Sequence, residues 1–194
     1  MAISPEACGA VILAGGASKR MGQCKALLQI DGQTMLERTR ALLGDFDEIL
    51  LSTNDPALKS DLLQVADIWP DCGPLAGLHA ALCRTEKRAL LCLPCDLPHL
   101  SPAVPKLLLD AMPEEAAVLI CRDSTGRLHP LCGIYRTSVL PVLEDCLRRG
   151  VHRVMDFVTQ LSYACADTGG IVPDEVFFNM NTPEDYRLAV LEGR

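Results

Sequence analysis

Aromatic residues are scarce, with Phe, Trp and Tyr together making up 4% of the 194 positions. A core built with so few rings must be aliphatic. The 49% of hydrophobic residues is ample for one. Positive charge is also in deficit, since 18 Lys and Arg stand against 25 Asp and Glu, for a formal net charge of −7. Binding along a nucleic-acid backbone needs a basic face, so a nucleic-acid partner is not expected. Small phosphates remain open, because a local cluster of cations suffices for them. No apolar run approaches the ~18 residues of a membrane helix, so no membrane association is expected. The start, Met1-Ala2-Ile3-Ser4-Pro5-Glu6, has no basic region followed by an apolar stretch, so no secretory leader is expected either.

Cysteine is abundant, with ten residues. They are scattered through apolar runs rather than spaced in short loops. A chain of this length needs no disulfide staples. Buried thiols acting as small hydrophobes, in a reducing cytoplasmic compartment, are the expectation. Cys92-Leu93-Pro94-Cys95 is a C-x-x-C sequence. No second such pair or paired His completes a zinc site, and Cys92 lies inside an apolar run, so packing is its expected role.

Strand-like and helix-like segments alternate. Strands are expected at Ala10 to Ala14, Glu48 to Thr53, Ala66 to Trp69, Arg88 to Leu93, Ala116 to Cys121, Leu131 to Tyr135 and Val176 to Phe178. Helices are expected at Gln33 to Leu43, Pro56 to Val65, Leu75 to Arg84, Ser101 to Ala111, Thr137 to Arg148, Val151 to Gln160 and Pro183 to Leu191. Thr182 and Ser101 are of the type that caps a helix start. The alternation predicts a three-layer α/β fold with a doubly wound, mostly parallel sheet. One domain spans 1–194. Ligands on such sheets sit at the carboxyl ends of strands. The segments with unusual chemistry all follow strands: Gly15 to Lys25, Asp71 to Gly77, Asp96, and Asn179 to Asn181.

The first of these reads Leu13-Ala14-Gly15-Gly16-Ala17-Ser18-Lys19-Arg20-Met21-Gly22-Gln23-Cys24-Lys25. Glycines let backbone N–H groups approach a phosphate, and successive amides form an anion-binding concavity. Ser18 can donate a hydroxyl, and Arg20 and Lys25 supply charge, Arg as a planar fork and Lys as a point charge. The spacing matches neither G-x-x-x-x-G-K-[ST] nor G-x-G-x-x-G. A plain glycine-rich turn with solvated cations accounts poorly for the combination.

Asp96 ends the most apolar strand. A carboxylate there should meet a cation rather than sit alone in the core. Mg²⁺ bridging triphosphate oxygens is the natural partner, and a capped loop amide is the plainer alternative. Asp71 follows a strand with the same logic. Gly73-Pro74-Leu75-Ala76-Gly77 opens a helix with small residues, leaving room for a base or ribose. Asn179 and Asn181 flank Met180 and can face one side of an extended chain, or serve a turn before Thr182-Pro183. His129 follows Arg127. Arg148, Arg149, His152 and Arg153 make a basic helical patch, either solvated or attractive to an anion.

Leu-Ala-Gly-Gly-x-Ser-x-Arg-Met-Gly-x-x-Lys at residues 13–25 resembles the signature of the GT-A-like, Rossmann-like nucleotidyltransferases. Within them the chain is most similar to the molybdenum cofactor guanylyltransferase family. The resemblance continues in Gly73 to Gly77, in Pro94-Cys95-Asp96-Leu97-Pro98, in Arg127-Leu128-His129-Pro130 and in Asn179 to Glu184. It implies transfer of GMP from Mg²⁺-bound GTP to the phosphate of molybdopterin. It implies that Asp96 ligates the metal and that Arg20, Lys25 and Asp96 act in catalysis. It places Leu13, Ala14, Gly15, Gly16, Ser18, Lys25, Ser52, Asp71, Gly73, Pro74, Leu75, Gly77 and Asp96 around the nucleotide. Arg127, His129, Asn179 and Asn181 fall on the acceptor side. Residues 1–100 would thus serve the nucleotide and 101–194 the acceptor. Transient contact with cofactor-synthesis proteins or recipient molybdoenzymes follows from such a product. A cytidylyltransferase or sugar-phosphate nucleotidyltransferase of the same fold is the rival, and a non-catalytic carrier of the cofactor is a third reading.

Overall fold

The apolar runs Cys8–Leu13 (β1) and Ala89–Pro94 (β6) are buried at every position and lie side by side in parallel register, Leu13 opposite Pro94. Strands apolar on both faces belong in the middle of a sheet covered by helices on each side. Ile49–Ser52 (β4) pairs parallel with the other edge of β1, and Leu63–Val65 (β5) extends the sheet beyond β4. On the far side of β6 lies Leu128–Arg136 (β8), then Val118–Arg122 (β7), then Tyr163–Asp167 (β9). β8 alone runs antiparallel to its neighbours, so the seven-stranded sheet is mostly parallel. A hairpin of Gln29–Ile30 (β2) and Gln33–Thr34 (β3) stands apart from it. The computed structural model describes residues 3–4, 6–15 and 24–192.

Strand alternation divides the core. Cys8, Ala10, Ile12, Leu91 and Leu93 face helices Met35–Ala41 (α1) and Ala103–Ala111 (α3). Val11, Leu13, Leu90 and Cys92 face Pro74–Arg84 (α2), Leu140–Arg148 (α4) and Val154–Val158 (α5). The expected three layers are present. α1 begins with a reciprocal cap: Glu37 N donates to Thr34 Oγ1 at 3.2 Å, and Thr34 N donates to Glu37 Oε2 at 2.7 Å. Such a capping box satisfies two otherwise orphaned donors.

A third, smaller cluster ties the chain's end to its beginning. Leu28, Ile30 and Met35 bury against Met180 and Ala189, the latter on the last helix, Pro183–Glu192 (α6). Tyr186 Oη donates to the Gln29 carbonyl at 2.9 Å. This contact fixes Asn179 to Asn181 beside the segment that carries Lys25.

Five sequence expectations are corrected. Residues 56–65 are not a helix but turns leading into β5. Thr53 Oγ1 accepts from Asp55 N at 3.1 Å, Asp55 Oδ1 from Ala57 N at 2.9 Å, and Ser60 Oγ from Leu62 N at 3.1 Å. Those side chains outcompete helical bonding. The strand expected at Ala66 to Trp69 falls earlier, at β5, and Asp67 N donates to Asn54 Oδ1 at 2.8 Å rather than to a sheet neighbour. Val176 to Phe178 is not a strand: Val176 and Phe177 end a 3-10 turn, Asp174–Phe177, and are buried in the core. Two expected helices are shorter, with Thr137–Val139 a 3-10 turn ahead of α4 and α5 confined to Val154–Val158.

Candidate active site at the carboxyl edge of the sheet

β1, β4 and β6 end at the same edge, and their last residues are cross-linked there. Ala14 N donates to the Ser52 carbonyl at 2.9 Å, and Cys95 N to the Leu13 carbonyl at 3.1 Å. Asp96 follows directly. Its side chain is 20% exposed, at the mouth of the core. Burial pushes its carboxyl up from the ordinary range, and the Lys25 ammonium opposes that rise.

Lys25 begins a 3-10 turn, Lys25–Leu27. Its Nζ lies 3.3 Å from Asp96 Oδ2 and donates to Asn181 Oδ1 at 2.6 Å. Met180 N donates to the Asp96 carbonyl at 2.9 Å, so backbone as well as side chain joins the two segments. Asn181 is itself held. Asp185 Oδ2 accepts from Asn181 N at 2.9 Å and from Thr182 N at 2.7 Å, while Thr182 Oγ1 caps α6 by accepting from Asp185 N at 3.1 Å. The Asn179 amide also favours the charged form of Asp96. A lysine, a carboxylate and two amides from three distant stretches of sequence therefore meet at one point.

Asp96 Oδ1 is buried and has no hydrogen bond of full geometry among the described residues. An oxygen in that condition is costly. A hard divalent cation with oxygen ligands would satisfy it, so the residues present fit such an ion.

On the other flank, Gly73 has φ 63° and ψ −150°, a conformation essentially restricted to glycine. Asp71 also takes a positive φ, 60°, which is uncommon for a residue with a side chain. Together they swing the chain from β5 into α2, with Pro74 at the first helical position. Asp71, Gly73 and Pro74 are exposed at this edge, whereas Leu75 and Leu13 point into the core and offer only backbone. Gly77 is buried, and a Cβ there would collide with Ser52 Oγ. The small residue lets α2 approach β4 closely beside the buried Ser52.

β8 starts at the same edge because it is antiparallel. His129 stacks on Phe177, with ring centroids 3.9 Å apart and planes within 13°. His129 Nε2 lies 2.8 Å from Asp123 Oδ2, and Asp123 Oδ1 accepts from Thr125 Oγ1 at 2.6 Å and Arg127 N at 2.9 Å. The Thr125 hydroxyl, followed by His129, holds the Asp123 carboxyl far below its usual range. Ionised Asp123 is an acceptor only, so His129 Nε2 carries the hydrogen. Arg127 is exposed beside it. The basic patch on α4 and beyond is partly neutralised: Arg148 meets Glu144 at 3.0 Å and Arg149 meets Asp145 at 2.9 Å.

The sequence model of the MobA-like NTP transferase domain matches residues 10–165. The chain belongs to that family. A protein of Pelotomaculum thermopropionicum named probable molybdenum cofactor guanylyltransferase is 35% identical over 182 residues, covering 90% of this chain and 88% of its own. A protein of Nostoc sp. with the same name is 34% identical, covering 95% and 90%. Among solved structures, molybdopterin-guanine dinucleotide biosynthesis protein A of Archaeoglobus fulgidus superposes with TM-score 0.78 at 20% identity, covering 95% of this chain and 97% of that one. The 2-C-methyl-D-erythritol 4-phosphate cytidylyltransferase of Thermus thermophilus superposes with TM-score 0.72 at 19% identity, covering 100% of each chain.

This MobA-like NTP transferase thus brings together Lys25, Asp96, Asn179 and Asn181. It sets Ala14, Gly15, Asp71, Gly73 and Pro74 on one edge, with Arg127 and His129 farther along it. Gly16, Ser18 and Arg20 lie outside the described residues. Asp185 and Asp123 were not singled out by sequence reasoning. A carboxylate four residues after Asn181 was the available sign for the first, and the turn Asp123-Ser124-Thr125-Gly126 for the second. All ten cysteines are unpaired, and burial pushes the Cys92 thiol far up and the Cys95 thiol to about 12, as expected of packing residues. Among the described residues no helix is long and apolar enough to cross a membrane.

Proposed function

We propose that this chain transfers GMP from Mg²⁺-bound GTP to the phosphate of molybdopterin, giving the guanine dinucleotide cofactor and pyrophosphate. The observation that carries this reading is the Lys25 ammonium 3.3 Å from Asp96 and 2.6 Å from Asn181 at the carboxyl edge of the sheet. The names of the relatives from Pelotomaculum and Nostoc supply the acceptor and the base.

An oxygen of the acceptor phosphate attacks the α-phosphorus. The bond from that phosphorus to the bridging oxygen of the β-phosphate breaks, and pyrophosphate carries the electron pair away. No general base is needed, since the attacking phosphate is already an anion. Alignment and charge neutralisation then supply most of the rate. Lys25 holds phosphate oxygens, and the match of Gly15, Gly16, Ser18 and Arg20 to the family's signature assigns them to the rest of the triphosphate. Asp96 would hold the Mg²⁺, which neutralises triphosphate charge when bound. Asp71, Gly73, Pro74 and the backbone at Leu13 and Leu75 border the base and ribose. Arg127, His129, Asn179 and Asn181 orient the acceptor. The Asn181–Lys25 bond makes that asparagine a bridge between the two halves. Unpaired, largely buried thiols favour a cytoplasmic setting, where synthesis proteins or recipient molybdoenzymes would meet the product.

The shared fold with a cytidylyltransferase keeps CTP as the competing donor. Turnover with molybdopterin and either GTP or CTP separates them. GTP is expected to be used at least tenfold better in kcat/KM, and a preference for CTP would overturn the choice of base.

A further inference from the structure

Helices α2 and α4 pack on the face of the sheet away from α1 and α3, and between them lies a group of side chains the transfer reaction does not use. His79 and Cys83 stand one turn apart on α2, and Glu144 faces them from α4. Among the described residues they are the one trio of metal-ligating type, with ligand atoms all within 4.8 Å of one another. His79 Nε2 lies 3.6 Å from Cys83 Sγ and 3.6 Å from Glu144 Oε1.

The nitrogen–oxygen separation is too long for a hydrogen bond. It lies a few tenths of an ångström beyond what a shared ion imposes, so binding needs only a small approach of Glu144 to His79. Zinc bonds near 2.0–2.1 Å to nitrogen or oxygen, at tetrahedral angles, set those two atoms about 3.3–3.4 Å apart, and a bond of about 2.3 Å to sulfur sets nitrogen and sulfur about 3.5–3.6 Å apart. We propose that His79, Cys83 and Glu144 form a site for a divalent ion of the zinc class, with a fourth position left to water. Imidazole, thiolate and carboxylate together suit zinc rather than magnesium.

Neighbouring groups shape the site. Arg148 holds Glu144 Oε2 at 3.0 Å, leaving Oε1 turned towards His79. Trp69 meets the His79 ring edge-on, centroids 6.4 Å apart and planes at 89°, so the imidazole is braced from the side. His79 is 3% exposed, whereas Cys83 lies at the surface and gives an ion its entry. Cys83 Sγ is also 3.9 Å from Nδ1, so it lies alongside the ring. Ion uptake therefore turns the Cys83 thiol about χ1 onto the Nε2 side. The bound ion would clamp α2, which Gly73 precedes and Pro74 begins, to α4.

Trp69 is the chain's single tryptophan, which gives the test a local reporter. Co²⁺ is titrated into the full chain, and near-ultraviolet thiolate-to-cobalt absorption is followed together with Trp69 fluorescence. One equivalent should raise the charge-transfer band and quench Trp69, and added Zn²⁺ should abolish the band. Cys83→Ser should lose both signals, and Glu144→Gln should weaken binding at least tenfold. Both changes fall on residues at least partly exposed to solvent, and far-ultraviolet circular dichroism confirms that each variant folds. Absence of the band, an equal band in Cys83→Ser, or an unquenched Trp69 would each overturn the site in favour of a plain thiol–imidazole contact.

Discussion

Asp96 and Lys25 show how one residue's cost can prepare another's use. Carrying a carboxylate to the end of a buried strand disfavours its charge, and the pKa rises accordingly. Lys25 offsets part of that cost. In the proposed reaction the ammonium passes to phosphate oxygens of the arriving triphosphate, leaving the carboxylate for a cation. Asp123 shows the opposite sign. Its carboxyl is depressed from the ordinary 3.8 by the Thr125 hydroxyl and His129. A depressed acid contributes stability that is fully present above its unfolded pKa and is lost as pH falls through the folded value. Asp123→Asn should therefore lower the urea midpoint at pH 7, and the gap from wild type should close as pH drops below 3.8. A gap that stayed constant from pH 7 to pH 3 would show that charge at Asp123 is not its cause. Asp96 was legible in the sequence because an acid that closes an apolar strand must meet a cation or a donor at the strand's end. The Asp123–His129 bond was not, since it depends on a turn that folds one onto the other.

Among the elements, α2 and β4 approach so closely that the side chain at residue 77 is excluded. Gly77→Ala should force Ser52 Oγ aside and cost ~1–3 kcal/mol, in the range of overpacked cores. The clash is with a hydroxyl rather than backbone, so Ser52→Ala in the same chain should restore at least half of the loss in thermal midpoint. An unchanged midpoint for Gly77→Ala alone would contradict so close an approach. β1, β6 and α2 were readable in advance because long apolar runs bounded by Gly and Pro leave little choice. The stretch from Pro56 to Trp69 was not. Leu58, Leu62 and Leu63 have helical spacing, but Thr53, Asp55 and Ser60 bond the local backbone and prevent it. β9 escaped notice because Tyr-Ala-Cys-Ala-Asp is short, weak in β-branched residues and at the sheet's edge. The β2–β3 hairpin is only two residues deep on each side.

Across the whole molecule, a chain of net charge −7 gathers cationic and amide groups at one edge of its sheet. The C-terminal helix makes that possible. Met180 and Ala189 bury against Leu28, Ile30 and Met35, so the last segment of the chain completes a site begun by the first strand. The fold class followed from strand–helix alternation, and the motif resemblance indicated the family. Only the structure showed that Asn181 reaches Lys25. Nucleotidyl transfer at Lys25 and Asp96 is decided by following the label from α-³²P-GTP or γ-³²P-GTP in the presence of Mg²⁺ and molybdopterin. The α-label should appear in the acceptor product and the γ-label in pyrophosphate, with Asp96→Asn slowing the transfer ~10²–10³-fold while its circular dichroism is unchanged. Transfer of the γ-label to the acceptor, or undiminished transfer by Asp96→Asn, would contradict that chemistry.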